Sequence, residues 1–333
     1  MPPKSNRNFI LINIRIKQIK YQKYYQTAFN ILELIVKYDN YDNINAMQKN
    51  IIDSIQNDFF ELTNKKLSKK QIEKKILPIF FYIYNSKRKK FLISGSQGIG
   101  KTTILEILNR NFHKFFGKKI LSLSLDDFYY DKALRIILSK TIHPLLMTRG
   151  VPGTHNTKKI LNVIKKFNKS EYPIKIPIFN KLKDLSRKKQ RIVNKKTDII
   201  ILEGWCCGSP PINKKYLHKN INYLEKRFDK KLTWRNYYNN KLKNEYSELF
   251  KKFDKLIYFN APNFSHVSSW RLKQEKNMKI TKNSKQGMDK KEIAEFIQHY
   301  EKVTKWMMKV LPTKADLTIY INTNQNIKKI SIA

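Results

Sequence analysis

Glycine is scarce in this chain, with nine in 333 residues and none in the first 94. A sequence so poor in glycine places it mainly where backbone geometry leaves little choice. Cysteine is scarcer. Cys206 and Cys207 are neighbours, and adjacent Cα atoms about 3.8 Å apart cannot close an ordinary disulfide. No CxxC occurs, and the six histidines show neither HExxH nor paired metal spacing, so a disulfide scaffold or a zinc centre is not expected. No uncharged apolar run reaches the roughly 18 residues of a membrane helix, and Leu77 to Tyr84 is far too short. Acidic residues are few as well: 26 Asp and Glu stand against 68 Lys and Arg, for a net charge of +42. The excess is mostly Lys, is spread along the whole chain, and comes with abundant Asn, Ile and Tyr. Those residues have A/T-rich codons, so we read the charge as compositional rather than as a nucleic-acid interface. The expected partner is a small molecule, with no membrane partner and a reducing, cytoplasmic setting. Residues 1–32 contain no Asp or Glu, which would also suit an organelle-targeting peptide.

Three of the glycines fall in Phe91-Leu-Ile-Ser-Gly95-Ser-Gln-Gly98-Ile-Gly100-Lys101-Thr102-Thr103. The pattern G-x-x-x-x-G-K-[ST] is met by Gly95, Gly100, Lys101 and Thr102. Lys90 to Ser94 reads as a buried strand. Ile104, Leu105, Ile107, Leu108 and Phe112 then recur at helical spacing up to Gly117. A loop between strand and helix presents backbone N–H groups and a helix N-terminus to a phosphate. Gly95, Ser96, Gln97, Gly98, Ile99, Gly100, Lys101, Thr102 and Thr103 are therefore the predicted ATP-binding segment. Lys101 supplies charge to the β- and γ-phosphates, and the Thr102 hydroxyl a ligand for Mg²⁺.

Beyond the loop, strands and helices alternate. Further strands are predicted at Lys119–Leu125, Thr197–Leu202, Lys255–Asn260 and Asp316–Asn322, with helices at 157–167, 221–253, 263–279 and 289–309. Such alternation implies a mainly parallel, five-stranded sheet covered on both faces, with ligands at the carboxyl ends of the strands. Residues 1–44 read as a variable extension, 45–88 as a helical preface packed on the phosphate-loop domain, and 89–324 as that domain, with a helical lid near 263–285.

Four segments carry chemistry, two of them directly at predicted strand ends. Asp126 and Asp127 follow the second strand, where one carboxylate suits deprotonation of a hydroxyl and the other Mg²⁺. Glu203 ends the strand after them, where a carboxylate suits Mg²⁺. Between them, Thr148-Arg149-Gly150-Val151-Pro152-Gly153-Thr154-His155-Asn156 and Pro177-Ile178-Phe179-Asn180-Lys181 offer Arg149, His155 and Lys181 to an anionic group.

This ordered set resembles the D-glycerate 3-kinase family, within the group of uridine kinase, pantothenate kinase and phosphoribulokinase. The resemblance rests on the phosphate loop, Ser124-Leu-Asp-Asp-Phe-Tyr129, His143-Pro-Leu-Leu146 with Arg149-Gly-Val-Pro-Gly-Thr-His155, Leu202-Glu-Gly-Trp-Cys206 and Trp270-Arg271-Leu272-x-Gln274-Glu275. It extends through Gly287-Met288, Phe296-x-x-His-Tyr300-Glu301, Leu311-Pro312 and Ala315-Asp316-Leu317, covering roughly residues 75–322. It implies a P-loop NTPase three-layer α/β sandwich that uses ATP and Mg²⁺ to phosphorylate a glycerate-like hydroxy acid. By the same resemblance Asp126 is the base, Glu203 the strand-end acid near Mg²⁺, and Arg271 a lid arginine over the phosphates. The family's Phe-Asp-Lys stands here as Phe179-Asn180-Lys181, so another small alcohol, a nucleoside or a pantothenate-like one, remains an alternative acceptor. A non-catalytic nucleotide-binding protein is the rival from another class, and it would have no use for an acceptor-side base.

Overall fold

The apolar run Ile199–Leu202 has no alternation, the mark of a strand covered on both faces, and it lies beside the strand that feeds the phosphate loop. The structure, a computed structural model, describes residues 41–181, 183–281 and 290–333. Residues 1–40 of the predicted extension 1–44, Leu182, and residues 282–289, with the end of the predicted lid and the Gly287-Met288 pair, lie outside the described residues.

Two compact units emerge. Among the described residues the first comprises 41–87 together with Arg110–Gly117. Its helices are α1 (Tyr41–Thr63), α2 (Lys69–Lys75) and α3 (Leu77–Tyr84). The α2 start is fixed by a capping box, in which Ser68 accepts from Gln71 N and the Gln71 side chain accepts from Ser68 N. Within this unit Arg110 pairs with Asp58 (3.1 Å) and Glu61 (2.7 Å). Phe112 stacks at a tilt on Phe80 with ring centroids 5.9 Å apart.

The second unit carries the predicted site. Its elements are β1 (Lys90–Gly95), α4 (Lys101–Phe116, whose end belongs to the first unit), β2 (Ile120–Ser124), α5 (Lys132–Thr141), α6 (Thr157–Lys169), β3 (Ile174–Ile176), β4 (Phe179–Asn180), β5 (Leu185–Ser186), β6 (Arg191–Val193) and β7 (Ile199–Gly204). They continue through α7 (Lys214–His218), α8 (Tyr223–Phe228), α9 (Thr233–Lys241), α10 (Ser247–Phe250), β8 (Lys255–Asn260), α11 (Phe264–Thr281), α12 (Lys290–Val310), β9 (Leu317–Ile321) and β10 (Ile327–Ile332). The main sheet runs β10-β9-β8-β1-β7-β2. The pairs β2–β7, β7–β1, β1–β8 and β8–β9 are all parallel. Register sets Ile93 beside Glu203 and Ser124 beside Glu203 from the other side. The carboxyl ends of β1, β7 and β2 thus bring the loop, Glu203 and the Asp126 turn to one edge.

The sheet has six strands where the pattern predicts five, because β10 follows β9 through the short turn at Asn322–Asn326. Two small antiparallel ribbons, β3 with β6 and β4 with β5, occupy residues 174–193. Strands of two or three residues carry too few positions to show a period. The predicted 221–253 helix is several helices. Helix α8 ends at Phe228. Asp229, 1% exposed, accepts from Trp234 N and Arg235 N, and Leu232 takes a left-handed φ of 63° just before α9 begins. Among the described residues no helix is long and apolar enough to cross a membrane.

Candidate active site

Gly95 ends β1 where β8 passes so closely that a Cβ would fall 2.7 Å from the Phe259 carbonyl oxygen. Glycine is required there, and it turns the chain into the loop. The loop leads into the first residue of α4, Lys101, so its N–H groups and the helix N-terminus face the same cleft. Lys101 is buried and curls back, its Nζ donating to the carbonyls of Gly95 (2.7 Å) and Ser96 (2.9 Å). Burial lowers its pKa, and the nearby Glu203 carboxylate opposes that. Ile99 is buried beneath the loop, whereas Gln97, Gly98 and Thr102 line the cleft. Gly98 is held from outside: its carbonyl accepts from Gln325 Nε2 at 2.7 Å. The start of α11 lies against it, with Trp270 Cβ 3.0 Å from where a Gly98 Cβ would be. This contact sets the next residue, Arg271, on the cleft wall, its guanidinium over the Phe296 ring of α12.

Glu203 ends β7 on the cleft floor, with Oε1 accepting from Ser124 Oγ at 2.7 Å. Burial raises its pKa, and Lys101 acts against that rise. Across from the loop, β2 runs into a 3₁₀ turn, Leu125–Phe128, that presents Asp126. Asp126 Oδ1 accepts from the Tyr129 hydroxyl (2.8 Å) and Oδ2 from Lys181 Nζ (2.5 Å). Burial alone would raise this carboxyl. The Lys181 charge and hydrogen bond, with smaller help from His155 and Tyr129, hold it well below the usual carboxylate range.

Arg149 reaches the same wall from a segment gripped on both sides. Gly150 gives its carbonyl to Trp205 Nε1 (3.0 Å), and the Arg149 carbonyl accepts from the Tyr300 hydroxyl (2.8 Å). A Cβ on Gly150 would fall 2.0 Å from that hydroxyl, so only glycine passes. The guanidinium is already engaged: Nη1 donates to Asp184 (2.6 Å) and Nη2 to the Lys181 carbonyl (3.1 Å). Asp184 also binds the buried Arg135 (2.5 Å), so one carboxylate ties two arginines. Arg149 is therefore a fixed positive wall rather than a free fork.

Three predicted residues stand off the cleft wall. Asp127 turns to β4, its Oδ1 accepting from Phe179 N at 3.2 Å, which fixes a strand rather than facing the cleft. His155 is fully buried, stacked on Tyr129 at 4.4 Å, with Nδ1 2.6 Å from the Tyr246 hydroxyl. Burial pushes its pKa down to about 4, so it stays neutral at pH 7 and does not supply a cation to an anionic group. Asn180 Oδ1 accepts from Lys183 N (3.2 Å) and shapes the turn toward Asp184. The structure does bring together Lys101, Thr102, Asp126, Arg149, Lys181, Glu203 and Arg271 around one cleft. Trp205 and Tyr300 stand in motifs quoted above but were given no role, and Arg135 and Gln325 belong to no motif and so offered no signal.

Among the described residues no three His, Cys, Asp or Glu side chains gather as a metal cage. A nucleotide-bound Mg²⁺ needs only one or two protein oxygens, with phosphates and water supplying the rest. Thr102 and Glu203, both on the cleft, fit that minimal donor set.

A loop of this build, opening onto a carboxylate and fixed cations across a narrow cleft, is what brings a nucleotide phosphate up to a hydroxyl. The molecule is a P-loop kinase by class. No family model matches the chain. It is 30% identical over 281 residues to the probable ATP-dependent kinase TDA10 of Saccharomyces cerevisiae, covering 76% of this chain and 91% of that one. It is 32% identical over 220 residues to the uncharacterized kinase mug58 of Schizosaccharomyces pombe, covering 62% of this chain and 76% of that one. The chain belongs to this family of ATP-dependent kinases. The D-glycerate 3-kinase of Cryptococcus neoformans shares the fold, with a TM-score of 0.63 at 23% identity over 78% of this chain and 96% of that one.

Proposed function

We propose that the chain transfers the γ-phosphoryl group of ATP to the hydroxyl of a small hydroxy acid, D-glycerate first among them, with Mg²⁺. The observation that carries this reading is the Asp126–Lys181 pair facing the phosphate loop across the cleft. A carboxylate there accepts the proton of an attacking hydroxyl, and cations beside it suit an acceptor that is itself an anion. The shared fold with a D-glycerate 3-kinase supports the same acceptor.

Phosphoryl transfer asks mainly for positioning and charge neutralisation. In this reading Lys101 leaves the Gly95 and Ser96 carbonyls for the β- and γ-phosphates, and the loop amides hold the phosphate oxygens. Thr102 and Glu203 would hold Mg²⁺, which supplies charge neutralisation to the phosphates. Arg271 covers the γ-phosphate from α11, Arg149 gives the acceptor pocket fixed positive charge, and Asp126 takes the hydroxyl proton. The test is ADP release by the purified chain with ATP, Mg²⁺ and a panel of hydroxylated metabolites. D-glycerate is the expected acceptor and glycerol, which lacks the carboxylate, a poor one. Robust phosphorylation of uridine or pantothenate with none of glycerate would sink the acceptor assignment.

A further inference from the structure

We infer that Lys181 is a lock on the base: it occupies Asp126 until an anionic group of the acceptor draws its ammonium away. The inference rests on the reading of Asp126 as the base. Both oxygens of that carboxylate are taken, Oδ1 by the Tyr129 hydroxyl and Oδ2 by Lys181 Nζ. An oxygen held at 2.5 Å by an ammonium is a poor proton acceptor, so a hydroxyl meets a stronger base once that ammonium is drawn away.

Tyr129 cannot yield. It is 6% exposed, stacked on His155, and edge-on to Phe179 at 5.2 Å. His155 is in turn tied to the buried Tyr246 hydroxyl. Lys181 can yield. Its side chain is 47% exposed against 27% for that of Asp126, so the ammonium, on a long flexible stem, can turn to another anion while the carboxylate stays in place. Its backbone stays in place, because Arg149 holds the Lys181 carbonyl and Asn180 caps the turn that follows. Arg149 does not compete for the role, since Asp184 keeps its charge engaged. Lys181 is the cation on this wall whose partner is the group the reaction needs.

The acceptor class follows. A short hydroxy acid carries a carboxylate that can take the Lys181 ammonium while its hydroxyl reaches the vacated Oδ2. The hydroxyl oxygen then bonds to the γ-phosphorus, the bond to the β–γ bridging oxygen breaks, ADP leaves, and the proton passes to Asp126 and on to water. Water or a neutral alcohol brings no anion, so the lock stays closed and ATP is not wasted.

The experiment measures ADP release by the full chain, with ATP and Mg²⁺, alone, with D-glycerate and with glycerol, for wild type, Lys181→Met and Lys181→Arg. In Lys181→Met, acceptor-independent release should rise about tenfold while glycerate transfer falls at least about tenfold, erasing the preference over glycerol. Lys181→Arg should restore the low acceptor-independent rate. A damaged fold lowers hydrolysis, so a rise has no merely structural explanation. If wild type transfers to glycerate but Lys181→Met leaves acceptor-independent release unchanged or lower, the lock is overturned and the kinase reading stands. If no acceptor stimulates ADP release by wild type, that reading falls and the lock with it.

Discussion

On the nucleotide wall of the cleft the backbone carries the chemistry. Gly95 lets β8 pass, Gly98 is braced by Gln325 and Trp270, and Lys101 rests on two loop carbonyls. On the acceptor wall side chains hold side chains: Tyr129 and Lys181 on Asp126, Asp184 on Arg135 and Arg149, His155 on Tyr246. A backbone cradle recognises any polyphosphate and tolerates change around it. A side-chain network recognises one arrangement of charge, and each member can be altered singly. The two walls should therefore respond to substitution in separable kinetic terms.

The sharpest separation is Asp126→Asn. The change keeps shape and removes the proposed base, and general-base catalysis is worth about 10²–10⁴-fold. The loss should appear in kcat for glycerate, with KM for ATP nearly unchanged. A larger kcat loss from Asp127→Asn would contradict the placement of Asp127 against Phe179 and reverse the assignment of the two carboxylates.

Lys101→Ala tests the opposite wall. Removing one preorganised charge from transferring phosphate costs about 10²–10³-fold. Here affinity for ATP should weaken together with turnover, while binding of glycerate, followed calorimetrically without nucleotide, stays intact. Near-normal turnover would remove the phosphate loop from the mechanism.

The contrast between the walls also decides what could be read in the sequence. Glycine in a chain with so little of it marked the backbone wall, because each loop glycine answers a geometric demand. Asp126 and Glu203 were legible because each follows directly on an apolar strand. The tie of Asp184 to Arg135 and Arg149 was not, since Asp184 sits in a Lys-rich run whose ribbon β4–β5 is too short to show a period. His155 was misread as a ligand because a motif position fixes the residue but not its burial. The 221–253 stretch hid its break, since Asp229 looks like any acidic surface residue until Trp234 and Arg235 are seen donating to it. Ion-pair partners are chosen by tertiary contact, and no local pattern announces them.

Acidification should loosen the acceptor wall through His155. Folded His155 stays neutral down to about pH 4, whereas in the unfolded chain it protonates near pH 6.5. The unfolded state binds more protons between those values. Its contribution is therefore fully present above about pH 6.5 and is lost as pH falls from there toward 4, at up to about 1.4 kcal/mol per pH unit. Glu203, Asp127 and Glu225, whose carboxyls are raised by burial, act in the opposite sense. The difference between wild type and His155→Gln in urea unfolding, followed from pH 7 to 4.5, isolates the histidine. The stability of wild type should fall more steeply than that of the variant. Parallel curves would mean that His155 is protonated in the fold.

The smallest expected effect is also the cleanest check on the boundary between the walls. The turn after β9 is held by the Asn322 side chain, which accepts from Asn324 N (3.0 Å) and Asn326 N (2.9 Å). That turn sets Gln325 at a φ of 61° and sends its amide to the Gly98 carbonyl at 2.7 Å. Nothing in this contact touches Asp126, Lys181 or Arg149. A neutral hydrogen bond of this kind is worth about 0.5–1.5 kcal/mol, or roughly two- to tenfold in affinity at about 1.4 kcal/mol per tenfold. Gln325→Ala should therefore raise KM for ATP by that factor, through a less rigid loop, and leave KM for glycerate and the low acceptor-independent hydrolysis as they are. An equal rise in both KM values would show that the loop and the acceptor network move as one body. The division between a backbone wall and a side-chain wall would then fail.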